Sequence, residues 1–470
     1  MTPAWAQVAY LVAAACFIVA LKGLSSPRTA RVGNLVGAAG AALAVVVVLL
    51  AGDIDNVGWI LGAIGVGMVA GVPVARRVQM TSMPQLVALF NGVGGGAAAI
   101  VAAIELTDPG PQLLSGGGPE SGGLPLAAAI VTLVIGAVSF SGSLVTFAKL
   151  QELMTTRPVL INGGPVIFAA LIAATVAVGV AVGLANGTGA GPIWGVLGLV
   201  VLSLALGVLF VLPVGGADVP IVISLLNAFT GIAVAAGGYV LDNTLLLVAG
   251  TLVGASGTIL TRAMAAAMGR SLANILFGAF RGGSTAGSTA ESDRPVRSSG
   301  PEDVAIVLGY AQKVIIVPGY GLAVAQAQHV VHELAQLLAK RGVDVSYAIH
   351  PVAGRMPGHM NVLLAEANVP YEQLLEMESV NGQFPRTDVA LVVGANDVVN
   401  PAARTTPGSP IYGMPILDVD HAKSVVFLKR SMRPGFAGIE NELLYDARTS
   451  LVFGDAKDSL TKIVSALKSV

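Results

Sequence analysis

Charge is what this chain has least of. Asp, Glu, Lys and Arg make up 11% of its 470 residues, against about 25% in a soluble globular protein. That deficit, with a mean hydropathy of +0.78, excludes an ordinary soluble fold for most of the chain and points to lipid contact. A formal net charge of −1 leaves no basic footprint for a nucleic acid. The one cysteine, Cys16, excludes an intrachain disulfide. Ala13-Ala14-Ala15-Cys16 resembles a lipoprotein cleavage site only faintly, because no Lys or Arg precedes it; an uncleaved first membrane helix is the better reading. All five histidines (His329, His332, His350, His359, His421) lie in the last third, so no histidine of this chain is placed to relay protons inside a bilayer.

The scarcity is uneven. Residues 1–283 hold 18 charged side chains and residues 284–470 hold 35, so the second part has the charge density of a soluble domain. A membrane helix needs about 20 apolar residues, and nine such runs are present, near 5–22, 32–51, 56–75, 84–105, 124–147, 164–185, 191–211, 219–240 and 243–268. Lys22, Arg28, Arg31, Arg76, Arg77, Lys149, Arg157, Arg270 and Arg281 follow the odd-numbered runs, while the alternate loops carry Asp53, Asp55, Asp108, Glu120 and Asp242. Basic loops mark the cytoplasmic side, so the N-terminus is expected outside and the C-terminal part in the cytoplasm. Glycines crowd the third run (Gly62, Gly65, Gly67, Gly71), the fourth (Gly92, Gly94, Gly95, Gly96) and the ninth (Gly250, Gly254). Small residues let helices approach closely in lipid, which predicts a tight bundle.

Residues 281–303 are small, polar and Pro-containing and read as a flexible linker. The expected organisation is therefore a helical membrane domain over 1–280, the linker, and an α/β domain over 304–470. In the last part, apolar runs at 314–317, 343–349, 389–393, 424–428 and 449–453 alternate with helical spacing at 323–340 and 455–467. Apolar strands alternating with helices imply a parallel sheet covered on both faces.

Four constellations carry chemistry. Val314–Val324 is strand, glycine turn and helix, with Gly319, Tyr320, Gly321, Leu322, Ala323 and Val324 at the turn. Two glycines there let a backbone approach a pyrophosphate at a helix N-terminus, as in a Rossmann-like fold. Val324 replaces the third glycine of that fingerprint, and a tight turn without ligand reads equally well from this motif alone. Second, the strand 345–349 ends in His350, where an NAD binder places an acid for the ribose 2′-hydroxyl. Lys429-Arg430-Ser431 follows a later strand, and two cations with a hydroxyl suit a phosphate monoester. A solvated basic turn is the alternative; together the two features favour NADP over NAD. Third, Gly394 to Pro401, with Asn396 and Asp397, follows a strand expected to be central, at the edge where such sheets bind ligands; helix capping by Asp397 is compatible with that. Fourth, the polar groups of the membrane part are Asn91, Asn227 and Asp218. Each has a wet-path reading and a bland one: the asparagines as glue between helices, Asp218 as an N-cap.

At this point the residues match a known pattern. Ser82–Gly92, Gly215–Pro220, Pro318–Gln328, His350–Asn361, Gly394–Pro401, Lys429–Met432 and Gly435–Gly438 together resemble the beta subunit of proton-translocating NAD(P) transhydrogenase, over essentially the full length. The resemblance implies an NADP(H)-binding C-terminal domain, a proton-conducting membrane domain in a bacterial inner membrane, and alpha-subunit chains that supply the NAD(H)-binding domain and further helices, doubled into a dimer of alpha/beta units. It implies direct hydride transfer between nicotinamides, so no side chain here acts as catalyst in that step, and no metal. By motif match Gly319–Val324 lies by the pyrophosphate. Lys429, Arg430 and Ser431 hold the 2′-phosphate, and Asn396 and Asp397 also belong to the nucleotide site. Arg355, Met356 and Pro357 close over the nucleotide with Gly435, Phe436 and Ala437. Asp397 and His350 serve coupling near the nicotinamide side. One departure matters: some members carry a membrane histidine where this chain has Asn91. Either a titrating group lies in the partner's helices or Asn91 and Asn227 hold waters that carry the proton; the favoured expectation is a partner histidine, with Asn91, Asp218 and Asn227 along the path. The rival is a transporter or channel gated by a nucleotide-sensing domain; the only Gly-Tyr-Gly, at 319–321, lies outside the apolar runs, where it cannot form a potassium filter. A nucleotide-regulated scaffold without turnover is a third reading.

Overall fold

The structure, a computed structural model, describes residues 3–51, 56–78, 82–108, 123–151, 153–155, 159, 161–186, 193–214, 218–267, 294–354, 358–407, 409, 411–435 and 437–469. The chain forms two compact units, one made of the long apolar helices and the other containing the sheet.

Among the described residues the first unit has nine helices long and apolar enough to cross a membrane. They are α1 (Ala4–Leu24), α2 (Pro27–Ala51), α3 (Val57–Arg77), α4 (Met83–Thr107), α5 (Leu124–Leu150), α6 (Gly164–Asn186), α7 (Ile193–Val211), α8 (Val219–Val240) and α9 (Thr244–Ala267). All nine runs anticipated above are helical, with ends moved by a few residues. Glycine decides which helices meet closely. A Cβ on Gly136 of α5 would sit 2.7 Å from the Gly95 carbonyl of α4, and one on Gly250 of α9 would sit 2.7 Å from the Gly231 carbonyl of α8. The third run departs from the expected tight bundle. α3 buries none of its residues, and a Cβ on Gly62, Gly65, Gly67 or Gly71 would meet nothing within 4 Å. Small residues permit close approach without imposing it.

The second unit is built on six parallel strands in the order β3-β2-β1-β4-β5-β6. They are β1 (Lys313–Pro318), β2 (Asp344–Ile349), β3 (Leu374–Glu376), β4 (Val389–Val393), β5 (Ser424–Lys429) and β6 (Thr449–Phe453). Alternation sends Val314 and Ile316 into the core on one face and Ile315 and Val317 into the core on the other, so β1 is apolar throughout because both faces are covered. One layer contains α10 (Pro301–Gly309), α12 (Gln328–Lys340) and the final helix α14 (Ala456–Ser469). α10 starts within the stretch read as linker: Pro301 occupies its first turn, where a missing N–H costs nothing, and the Asp303 carboxylate accepts the Gly300 N–H at 3.2 Å.

The helix expected over 323–340 is two helices. α11 (Tyr320–Val324) ends, Gln326 turns the chain at φ +50°, and α12 begins at Gln328. The Ala327 N–H donates back to Leu322 O at 3.1 Å, closing α11 as a left-handed residue commonly closes a helix. The apolar spacing runs on through the break, which hides it from periodicity.

Candidate functional site

In an open parallel sheet, ligands bind beyond the carboxyl ends of the strands where the winding reverses. Here that point lies between β1 and β4, which are neighbours although β2 and β3 follow β1 in the chain. The turns after these two strands interlock. The Gly319 N–H donates to Val393 O and the Gly321 N–H to Gly394 O, both at 2.9 Å. A Cβ on Gly321 would stand 2.7 Å from Gly394 Cα. The two glycine amides are thus spent on β4, and the turn offers a close backbone surface rather than those donors. Leu322 and Ala323 are core residues beneath it, while Val324 is exposed. The Tyr320 ring is tilted at 6.2 Å from the ring of His359, the first residue of α13 (His359–Glu366).

β4 is followed by Asn396 and Asp397, and β5 ends in Lys429. The Lys429 ammonium donates to Asn396 Oδ1 at 3.1 Å, and Asn396 Nδ2 donates to Asp397 Oδ1 at 2.9 Å. The Ala437 N–H donates to Asp397 Oδ2 at 2.8 Å, and a Cβ on Gly435 would lie 2.5 Å from both Asn396 Nδ2 and Asp397 Oδ1. One hydrogen-bonded set therefore joins Lys429, Asn396, Asp397 and Ala437, with Gly435 close against it. Asp397 thus holds the 437 segment and stands at the first position of a short helical turn. Burial pushes the Lys429 ammonium below its usual range, with the negative charge of Asp397 opposing the shift. A partly desolvated cation is poised for an anion that can replace its lost water. Arg430 and Ser431 are exposed beside it. Arg355, Met356, Pro357 and Phe436 lie outside the described residues.

His350 follows β2 and is buried. Its Nε2 bonds Pro415 O at 2.8 Å and its Nδ1 accepts the Val352 N–H at 3.2 Å, so neither ring nitrogen is directed to Asp397. Burial lowers its pKa from 6.5 to about 4, against the raising effect of the Pro415 carbonyl. The depressed folded value means that the unfolded chain binds more protons between those limits. The sheet unit should therefore lose about 3 kcal/mol of stability as pH falls from 6.5 to 4. Hydrogen exchange of β2 and β4 amides in the full chain should show this slope, and His350→Asn should flatten it; an equal slope in the variant would assign the loss to other groups.

In the helical unit the Asn91 amide donates to Ser143 Oγ at 2.9 Å and to Ser139 Oγ at 3.3 Å. Ser139 reaches the Leu226 carbonyl at 2.9 Å and Thr230 Oγ1 at 2.6 Å. A polar string thus links α4, α5 and α8. Asn227 is half-buried one residue from Leu226 and is not among these partners; Asp218 immediately precedes α8. The serines that connect the string had not been singled out, because Ser in an apolar helix carries no distinct sequence signal. Lys149 follows the fifth apolar run of the sequence. It lies in the last turn of α5, fully buried, and its three donors go to the carbonyls of Val211 (3.1 Å), Leu212 (2.6 Å) and Val214 (2.8 Å). A cation on the last carbonyls of a helix is favoured by the helix dipole.

Comparison with known proteins agrees over the whole length. The sequence model of the family described as NAD(P) transhydrogenase beta subunit matches residues 6–466. The NAD(P) transhydrogenase subunit beta of Rhodospirillum rubrum is 50% identical over 469 residues, covering 99% of this chain and 100% of that protein. The same protein from a named strain of that species gives the same figures.

Proposed function

Since this chain belongs to the NAD(P) transhydrogenase beta-subunit family, we propose that it is the NADP(H)-holding, proton-conducting half of an enzyme that exchanges hydride between NADH and NADP+ while a proton crosses the membrane. On this reading residues 1–280 span a bacterial plasma membrane with the N-terminus outside, and the sheet unit, which the chain joins from Arg294 onward, faces the cytoplasm. An alpha subunit brings NAD(H), and alpha/beta units pair.

The observation that carries the nucleotide assignment is Lys429. It is a half-buried cation, hydrogen-bonded to Asn396 at the carboxyl edge of the sheet, on a strand beside the winding reversal, and no acid ends β2 to claim a ribose hydroxyl. Lys429, Arg430 and Ser431 suit a 2′-phosphate. The interlocked turns of Gly319 and Gly394 give a flat backbone approach for a pyrophosphate. NADP(H), when bound, supplies the hydride acceptor or donor. The chain's own residues bind and orient it, and Asp397 and Ala437 hold the covering segment. In the membrane, the string Asn91–Ser139–Thr230, with Asp218 and Asn227, lines a polar route among apolar helices, with a histidine of the partner as the titrating group.

The two nicotinamide couples are chemically near-equivalent, so hydride exchange alone settles near parity. A proton falling through about 180 mV releases roughly 4 kcal/mol, which at about 1.4 kcal/mol per tenfold displaces the ratio by nearly three orders of magnitude. The coupling acts through the relative affinity for NADP+ and NADPH. The test is the chain assembled with its alpha subunit in sealed vesicles, given NADH and NADP+. Hydride transfer with an accompanying acid shift is expected. Transfer with no acid shift removes the proton-conducting role, and ion flux with no transfer sustains the gated channel instead.

A further inference from the structure

The chain enters the sheet unit along its outer edge. Residues 297–299 add to β6: the Leu451 N–H donates to Arg297 O at 2.8 Å and the Ser299 N–H to Leu451 O at 2.9 Å, in a parallel bridge at Ser298. Three residues earlier, Arg294 makes a two-pronged contact with Glu442. Nη1 lies 2.9 Å from Oε2 and Nη2 lies 3.0 Å from Oε1. Its guanidinium carbon also lies 3.9 Å from the centre of the Tyr445 ring, and Glu440 Oε2 is 3.9 Å from Nη2. The Tyr445 hydroxyl in turn donates to Glu440. A planar fork matched to a carboxylate and stacked on a ring fixes direction as well as distance.

The segment so gripped is the one that borders the nucleotide site. Its inner side is held by the groups at the end of β4: Ala437 N–H on Asp397 at 2.8 Å, Asn400 Nδ2 on Glu440 O at 2.9 Å, and Asn441 Nδ2 on Asn396 O at 3.1 Å. Residues 437–445 thus form a strap clasped on one side by Asn396, Asp397 and Asn400 and on the other by Arg294. Glu440 and Glu442 repel one another and are drawn together by that single guanidinium. Arg294 is about half exposed, and an exposed ion pair contributes little to global stability. What it fixes is position.

We propose that Arg294 is a positioning residue that fastens the incoming chain to the strap over 437–445, so that displacement of residues 294–299 shifts the strap's contacts with Asn396 and Asp397 and changes how tightly NADP(H) is retained. This rests on the NADP(H) reading above. Nothing in it requires Arg294 to touch the nucleotide.

The experiment uses the full chain assembled with its alpha subunit in vesicles, and reads the rate of NADPH release and the thermal unfolding temperature. Arg294→Glu places a third carboxylate beside Glu440 and Glu442 and should speed release at least fivefold at an unchanged unfolding temperature. Arg294→Glu combined with Glu442→Arg restores the pair in reverse and should bring release to within twofold of the unaltered protein. Arg294→Gln, which removes the fork without adding repulsion, should speed release at least twofold and carries the test if the charge reversal does not accumulate. Release at the original rate in these variants overturns the proposal. So does faster release that the exchanged pair leaves uncorrected, or that comes only with a lowered unfolding temperature. If the unaltered chain retains no NADP(H), the functional reading falls first; if it retains NADP(H) and the variants match it, only the role of Arg294 falls.

Discussion

Lys429→Met should weaken NADP(H) binding by the full chain roughly 10- to 100-fold while leaving NAD(H) binding unaltered. The ammonium is partly desolvated, and the side chain holding it is an amide rather than a carboxylate. Arg430 and Ser431 remain beside it, so the loss is that of one charged hydrogen bond to the 2′-phosphate. A hydrogen bond to a charged group contributes about 1.5–3 kcal/mol, and each 1.4 kcal/mol or so is tenfold in affinity. Lys429→Arg keeps the charge and should lose less. Titration calorimetry with both nucleotides decides the matter. An equal loss for the phosphorylated and unphosphorylated forms would mean that the substitution loosens the Asn396–Asp397 set and that Lys429 does not read the 2′-phosphate.

The second large effect is steric. Gly394 has φ +73°, and a Cβ there would lie 2.5 Å from Gly321 Cα. Gly394→Val places a β-branched side chain in a left-handed conformation, at about 1–2 kcal/mol, and forces apart the turns that Gly319 and Gly321 tie to β4. A combined loss above about 4 kcal/mol is expected, in the range reserved for broken backbone or core geometry, and a large part of a typical domain's margin of about 5–15 kcal/mol. The sheet unit should lose hydrogen-exchange protection in β1 and β4 together. Gly382→Ala is the matched control: its Cβ would meet nothing within 4 Å, and it should be neutral or slightly stabilising. Equal behaviour of the two variants would show that the interlock between the turns does not matter to the fold.

How far these residues were legible in advance differs by kind. Gly319, Gly394, Asp397 and Lys429 stood out because each follows an apolar strand, and strand ends converge on one edge of a parallel sheet whatever the intervening helices do. Lys149 did not, because the α5 run was closed at 147 and the helix goes on to Leu150. Three residues are nearly one turn, at 1.5 Å each, enough to move a cation from an expected loop to a buried place under the end of α7. Arg294 was lost in a stretch read as linker by composition, since composition says nothing of a fork that closes on Glu442, 148 positions away. β3, three residues long, is too short for alternation to register.

The sequence by itself determined the division into lipid-facing helices and a parallel sheet, because hydropathy and strand period are local and accumulate along the chain. It also raised the expectation of a phosphorylated ligand, through an acid missing after one strand and cations present after another. Tertiary structure alone decided which polar groups are joined: Asn91 with Ser139 and Ser143, Lys149 with the carbonyls at and just past the end of α7, Asp397 with Ala437, Arg294 with Glu442. A hydrogen bond is fixed to a few tenths of an ångström between residues tens of positions apart, and no short-range pattern along the chain carries that information.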